Sequence, residues 1–205
     1  TNNIDVLRSG TAYLLLLQGE YGTGAIAITE HSSSLNQPLT ITERKDGIHY
    51  RDLETLQIWL SENEDTLNIE STHAGQTNID TNDAIDIINI QTTTGNLNID
   101  TGSGNDQVNV GTNTPTLGGT LNNILGNINL DGEFGTADTL TIDDFGDTIT
   151  NSSTLTEMSF SGAGMGGTIT YTQFEDLDIY LGLGDDTVDI ESIHSITPTE
   201  LWTAS

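Results

Sequence analysis

The chain is poor in several kinds of residue, and each shortage narrows what it can be. It has no cysteine, so disulfides and thiolate metal sites are excluded. Its 205 residues include only four lysines and arginines against 31 aspartates and glutamates. The resulting net charge of -27 argues against nucleic acid or an anionic membrane surface as a partner. The longest apolar run, residues 12–17, is too short to span a bilayer, so no membrane insertion is expected.

The residues that are abundant are Asp, Asn, Thr and Gly, with Ile, Leu and Val in short alternating fragments. Hydrophobic residues make up 34% and aromatic residues 5%, which favours a thin, elongated core. No segment shows a 3.6-residue period, so little or no helix is expected, and strand-like segments instead start about ten residues apart. The predicted strands are 4–6, 13–17, 25–28, 39–41, 48–50, 56–60, 66–69, 77–79, 85–90, 96–99, 107–110, 127–130, 139–142, 168–171, 177–181 and 187–190.

The chain also repeats itself. Residues 48–73 align without gaps to residues 169–194 at an offset of 121, with twelve of 26 positions identical. A long repeat containing a finer strand–turn rhythm is typical of a stack in which each coil buries its apolar face on the next. We therefore predict one continuous elongated β domain with about two strands per coil. Copy 1 covers residues 1–104 and copy 2 residues 105–205, with inserts at 111–126 and 144–167 and an irregular tail at 195–205.

Aspartates recur in the turns, just before the strands. If alternate turns share one edge, these carboxylates stack about 4.8 Å apart and repel by roughly 3 kcal/mol per neighbouring pair. Such a column must either splay into water or bind a hard cation. Calcium is favoured over magnesium because calcium accepts carboxylate and carbonyl oxygens in flexible geometry. The expected edge column is Asp65, Asp83, Asp106, Asp138 and Asp186, with further turn ligands Asp80, Asp100, Asp131 and Asp185 and turn glycines Gly102, Gly104, Gly182 and Gly184.

Two turns carry a recognisable motif. The segments GSGNDQVNV at 102–110 and GLGDDTVDI at 182–190 resemble the GGxGxDxUx nonapeptide of RTX calcium-binding β-rolls. Both depart from it at the first glycine, which is Thr101 in one and Leu181 in the other. The wider unit is similar to tandem repeats of giant secreted bacterial surface proteins and of diatom adhesive-trail proteins. That resemblance implies a right-handed parallel β-solenoid, an extracellular location and an adhesive or structural role without catalysis.

Two other functions stay open at this point. Trp59 and Tyr180 occupy equivalent repeat positions on the outward side of their strands, where they could contact a surface polysaccharide, as in a carbohydrate-binding module. Asp143, Asp144 and Asp147 form either a second ion site or the acidic pair of a polysaccharide lyase or hydrolase on a β-helix scaffold. An enzyme is not expected, because every Lys and Arg lies in the first copy. The expected partners are calcium ions, neighbouring repeats and polysaccharide, and a start at Thr1 suggests a piece of a longer secreted or cell-surface protein.

Overall fold

The computed structural model describes residues 53–193 and 197–203 in full, and residues 3–9 and 12–18 as backbone strands. This part of the chain contains sixteen strands and no helix, as the sequence predicts. The predicted strands at 25–28, 39–41 and 48–50 lie outside the described residues. The strands are β1 Asn3–Ser9, β2 Ala12–Gln18, β3 Thr55–Trp59, β4 Thr66–Ile69, β5 Gln76–Asp80, β6 Ile87–Ile90, β7 Leu97–Asp100, β8 Gln107–Val110, β9 Ile128–Asp131, β10 Thr139–Asp143, β11 Ser152–Thr156, β12 Ser159–Gly162, β13 Thr168–Thr172, β14 Asp176–Leu181, β15 Thr187–Ile190 and β16 Thr199–Thr203.

The strands form two sheets. A ten-stranded sheet has the order β1-β2-β3-β5-β7-β9-β13-β12-β11-β15, and a six-stranded sheet has the order β16-β14-β10-β8-β6-β4. From β3 to β10 the chain alternates between the sheets, so every strand pairs in parallel with the next strand but one. Antiparallel pairing among the described strands is confined to β1–β2 and to the β11–β12–β13 segment.

Alternation within each strand sends one set of side chains into a core shared by both sheets. In β5 the buried residues are Thr77 and Ile79, while Asn78 and Asp80 point outward and stay half-exposed. Parallel register stacks the inward residues of neighbouring strands, as in the run Ile79, Ile99 and Leu130. One cluster of buried hydrophobic side chains, mostly aliphatic, therefore extends from Ile69 to Leu181 and includes residues from both sheets.

Two stretches without a predicted strand contain strands. Residues 144–167, predicted as an insert, contain β11 and β12, an antiparallel hairpin that joins the ten-stranded sheet and buries Phe160 completely. The tail at 195–205 contains β16, which pairs in parallel with β14 from Leu177↔Thr199 to Leu181↔Thr203. The tail prediction was wrong because Thr199–Thr203 does not alternate polar and apolar residues as the other strands do.

Candidate functional site

An acidic residue stands directly before each of five strands of the six-stranded sheet, and these residues form a hydrogen-bonded column. The backbone N–H of Asp65 donates to Asp86 Oδ1 at 2.8 Å, and that of Asp86 donates to Asp106 Oδ1 at 2.8 Å. The pattern continues with 2.7 Å from the N–H of Asp106 to Asp138 and 2.9 Å from that of Asp138 to Glu175. We call Asp65, Asp86, Asp106, Asp138 and Glu175 the acidic column. Every carboxylate of the column except that of Asp65 therefore fixes the turn before the neighbouring strand, and we call one strand with its turn a rung.

The middle of the acidic column is buried. Asp86 and Asp106 are each 1% exposed and Asp138 is 0% exposed. Burial is the main cause that raises the pKa of Asp86 and of Asp138 from 3.8 to about 6, and neighbouring carboxylates of the column add to it. Burial also raises the pKa of Asp106. The Oδ2 atoms of these three residues are buried without a hydrogen-bond partner, which is costly unless a proton or a cation reaches them.

The two solutions expected for stacked carboxylates were splaying into water or binding a cation. The structure adds a third contribution, because a backbone N–H already satisfies one oxygen of each buried carboxylate. Hydrogen bonds from a main-chain N–H to a carboxylate are charge-assisted and stabilise its ionised form. They leave the second oxygen of each group unsatisfied.

Sequence spacing placed Asp83 in this column, and that placement was wrong. Asp83 forms an isolated bridge with Ser103, so it lies three residues before the column position, which is filled by Asp86. The sequence separation could have identified Asp86, since it lies 21 residues from Asp65 and 20 from Asp106. Glu175 was also missed, because the column was assembled only from aspartates that stand directly before a strand.

Asp186 is likewise placed elsewhere. It precedes β15 in the ten-stranded sheet, and its Oδ1 accepts the N–H of Asn151 at 2.8 Å. Its Oδ2 atom is buried without a partner, as in the acidic column. Asp186 thus makes the same kind of contact at a different place in the fold, next to the exposed Asp185.

The outward carboxylates Asp80, Asp100 and Asp131 lie side by side at the ends of β5, β7 and β9. Each accepts the backbone N–H two residues further on, at 3.0 Å from Asn82, 3.3 Å from Gly102 and 3.2 Å from Glu133. Burial, followed by the charge of Asp80, raises the pKa of Asp100. We call this row the outer carboxylate ladder. It is half-exposed and lies on a different sheet from the acidic column.

The four turn glycines are required by close packing between rungs. A Cβ at Gly102 or Gly104 would overlap the carbonyl oxygen of Asn82 or Ala84 in the preceding turn. At Gly182 and Gly184 it would overlap the carbonyl oxygens of Asp147 and Ile149. Of these four, only Gly102 also has a positive φ, 77°. The glycines therefore let turn backbones stack directly on one another.

Asp143, Asp144 and Asp147 are buried together in the turn after β10. Both oxygens of Asp143 accept backbone N–H groups, from Gly119 at 2.7 Å and from Phe145 at 3.1 Å. The Oδ1 atom of Asp144 accepts the N–H of Leu121 at 2.9 Å, and burial with nearby carboxylates raises the pKa of Asp144 to about 7. These carboxylates hold the 118–122 loop against β10, as structural acceptors.

The two aromatic residues proposed to contact a glycan are separated by the fold. Trp59 ends β3 in the ten-stranded sheet, whereas Tyr180 lies on β14 in the six-stranded sheet. Tyr180 stacks on Trp202 with ring centroids 6.0 Å apart and planes at 7°. The two equivalent repeat positions therefore belong to different surfaces.

Among residues 53–193 and 197–203, no group of three or more acidic or histidine side chains has the arrangement of metal ligands. Within the described part of the chain, no helix is long and apolar enough to cross a membrane. Comparison with family models, with curated proteins and with solved structures found no match.

Proposed function

We propose that the chain is a non-catalytic structural or adhesive module of an extracellular protein, an acidic rod whose turns bind calcium. In this proposal the two sheets are the faces of a right-handed parallel β-solenoid with about two strands per coil. Support comes from the alternation of the chain between the sheets and from the regular spacing of paired strands between β3 and β8, before the 111–126 segment lengthens the next step. Thr66 pairs with Ile87, and Ile87 pairs with Gln107, which are steps of 21 and 20 residues.

The observation that carries the proposal is the buried middle of the acidic column. Asp86, Asp106 and Asp138 stack in successive rungs with one unsatisfied oxygen each. Arg8 is the only Lys or Arg within the described ranges, so no basic side chain neutralises this column from residues 53–193. A stack of acids that is sealed from water and has no basic partner among residues 53–193 is stabilised by protonation or by a bound cation, and above the raised pKa values a cation is required.

A calcium ion can neutralise this column because it does not require a compact cage of side chains. A calcium ion takes six to eight oxygens and accepts backbone carbonyls among them. Because no three described carboxylates have the arrangement of metal ligands, a calcium ion would combine one or two of them with turn carbonyls. Asp106 and Asp186 would serve best, as each keeps a buried Oδ2 free, and Asp138 offers the same. Asp65 fits least, because its Oδ2 already accepts the N–H and the hydroxyl of Ser61 at 3.1 and 3.0 Å.

The role proposed for calcium is to stabilise the folded rod. Calcium binds the assembled turns and hardly binds the unfolded chain, so each occupied site raises the free energy of unfolding. With a dissociation constant of about 10⁻⁴ M and about a millimolar free ion, each site contributes roughly 1.4 kcal/mol. An extracellular location would supply that concentration.

The absence of catalysis is part of the same proposal. Asp143 and Asp147 use both of their oxygens in structural bonds, and Asp144, which accepts from Leu121, is only 1% exposed and so is closed to a substrate. A polysaccharide lyase or hydrolase needs a carboxylate free to exchange a proton with substrate. Turnover of any acidic polysaccharide by the purified chain would contradict this part of the proposal.

Thermal unfolding in calcium and in EDTA tests the calcium proposal. We expect calcium at about a millimolar to raise the melting temperature by several degrees, since 1 kcal/mol is worth roughly 2–4 °C in a chain of this size. Magnesium at the same concentration controls for general screening of the -27 charge. Asp106→Asn keeps the Oδ1 acceptor and should reduce the calcium effect, whereas the exposed control Asp189→Asn should not. An identical melting temperature in calcium and EDTA would overturn the proposal.

A further inference from the structure

The outward face of the ten-stranded sheet carries a groove that the structural role does not use. The groove has a volume of about 730 Å³ and crosses β3, β5, β7, β9 and β13. Four strand spacings make it about 19 Å long. Trp59 lies at the β3 end, and the half-exposed Met158 lies at the other end, in the turn of the β11–β12 hairpin. The groove is therefore long, open and bordered by an apolar side chain at each end.

Its floor begins with a row of amides. The Nδ2 of Asn98 donates to Asn78 Oδ1 at 2.8 Å, and the Nδ2 of Asn129 donates to Asn98 Oδ1 at 2.6 Å. Thr170 continues the row by donating its hydroxyl to Asn129 Oδ1. These bonds hold every amide in the same orientation, so the floor is ordered before any ligand arrives. Preorganisation of this kind lowers the entropy cost of binding.

Beside the amides runs the outer carboxylate ladder of Asp80, Asp100 and Asp131. The backbone bonds described above use one oxygen of each carboxylate, while Asp100 also hydrogen-bonds to the Glu133 carboxyl and Asp131 Oδ1 also accepts from Gln173 Nε2 at 3.3 Å. An ionised carboxylate only accepts hydrogen bonds, so this row favours a ligand that has many hydrogen-bond donors. Its negative charge also repels any ligand that carries acidic groups.

The opposite sheet provides an internal comparison. Asn68, Asn89 and Asn109 form an equivalent amide row, with bonds of 2.8 and 2.9 Å. There Asn89 is 2% exposed and Asn109 is 4% exposed, so no ligand reaches them. On the ten-stranded sheet Asn78 and Asn98 are half-exposed and Asn129 is exposed. Amide rows thus support both sheets, but only one of them forms the floor of an accessible groove.

We propose that this groove binds an extended polysaccharide without acidic groups, lying across the strands. Sugar hydroxyls would donate to the carboxylate oxygens, a charge-assisted contact, and a sugar ring would lie against Trp59. Successive sugars of an extended chain follow each other at a spacing close to that of strands, so neighbouring rungs offer similar contacts. The groove lies on a sheet face with no open backbone edge, which disfavours a peptide strand. The inference goes beyond the structural role and does not depend on calcium.

The two tryptophans of the chain make a matched fluorescence test, since Trp59 borders the groove and Trp202 lies on the other sheet. The variant Trp202→Phe reports Trp59 alone, and Trp59→Phe reports Trp202 alone. We would titrate both with neutral hexasaccharides of cellulose, xylan and chitin. Oligogalacturonate serves as the acidic control and oligolysine as the basic peptide. We expect a saturable change in Trp59 emission with at least one neutral hexasaccharide, and none with oligogalacturonate.

The outcome is decided by which tryptophan responds and to what. No response to any neutral hexasaccharide, equal responses in both variants, or a response to oligolysine alone would overturn the inference. In the Trp202→Phe background, Asp100→Asn should weaken binding about tenfold by removing a charged acceptor, while the exposed control Asp189→Asn should not. Equal affinity in calcium and in EDTA would show that the groove and the calcium sites act independently.

Discussion

Two regions of the molecule share a sequence pattern but differ in the sheet that each strand joins and in the burial of the strand beside it. The segment β3–β4 repeats as β14–β15 at the offset of 121 residues. In the first copy β3 lies in the ten-stranded sheet and β4 in the six-stranded sheet, whereas β14 and β15 lie the other way round. The same unit therefore works in either sheet. This is possible because both sheets present the same alternating aliphatic face to one core.

The difference in burial comes from the strands that lie on either side. Leu56 pairs with Thr77 and Leu177 pairs with Thr199, so β16 stands beside β14 as β5 stands beside β3. By this register Ile79 corresponds to Leu201. Ile79 is 4% exposed because β5 lies between two strands, while Leu201 is 37% exposed with β14 as its partner among the described strands. The exposed fraction of these two side chains thus depends on whether a further strand pairs with their own strand, and not on the type of residue.

The largest expected effect comes from shortening these two equivalent side chains. Ile79→Ala should lower the free energy of unfolding by about 3 kcal/mol, because it removes buried methyl groups and leaves a cavity. Leu201→Ala should cost about 1 kcal/mol or less, since that side chain is already partly in water. Urea unfolding measures both. Equal losses would contradict the view that neighbouring rungs determine the burial.

The two regions also differ in what their turn carboxylates contact. Asp86 caps the N–H of another acid, Asp65, whereas Asp186 caps the N–H of Asn151. Stability should therefore depend on pH through the acidic column. The raised pKa values of Asp86 and Asp138 mean that the folded state holds their protons more tightly than the unfolded chain does. That stabilisation is complete below the ordinary pKa of 3.8 and is lost as pH rises through about 6.

We therefore expect the melting temperature in EDTA to fall by several degrees between pH 5 and pH 8. The double variant with Asp86→Asn and Asp138→Asn keeps the Oδ1 acceptors and should reduce this dependence, leaving the smaller part that comes from the raised pKa of Asp144. The exposed Glu157→Gln serves as the matched control and should leave the slope unchanged. A steep slope that survives the double variant would place the responsible groups outside the column.

The smallest expected effect concerns the aromatic pair of the second region. Trp202 stacks on Tyr180 and is 48% exposed, a contact with no counterpart at Trp59 among the described residues. Trp202→Leu should lower the free energy of unfolding by about 1 kcal/mol, the usual value of a stacked pair. Denaturant unfolding of the variant and of Trp202→Phe, which retains a ring, would show whether the stack or simple apolar cover is responsible.

Much of the fold followed from residue patterns. The alternation around Thr66–Ile69, Gln107–Val110 and Thr187–Ile190 predicted those strands to the residue. Sheet membership did not follow, because an alternating strand looks the same whichever sheet it joins. The strand β16 was missed since Leu201 and Trp202 are adjacent apolar residues at an exposed edge, where alternation is not enforced.

The sequence predicted that turn carboxylates form a column, but it did not identify all of the residues in that column. Spacing alone identified carboxylates before strands, and Asp65, Asp106 and Asp138 do form one column. Asp86 was missed because the predicted strand 85–90 included it, so Asp83 was taken as the aspartate before that strand, although β6 begins only at Ile87. The groove could not be foreseen, since the hairpin that carries Met158 lies in residues 144–167, which were predicted as an insert.

The central claim is that calcium neutralises buried turn carboxylates in a coiled stack of rungs, and a crystal structure grown with calcium tests it most directly. The account predicts ions about 2.3–2.6 Å from the Oδ2 of Asp106, Asp138 or Asp186, with backbone carbonyls completing the shell. It also predicts that successive rungs form one right-handed coil. Oδ2 atoms that contact only protein or water in such a crystal would contradict it.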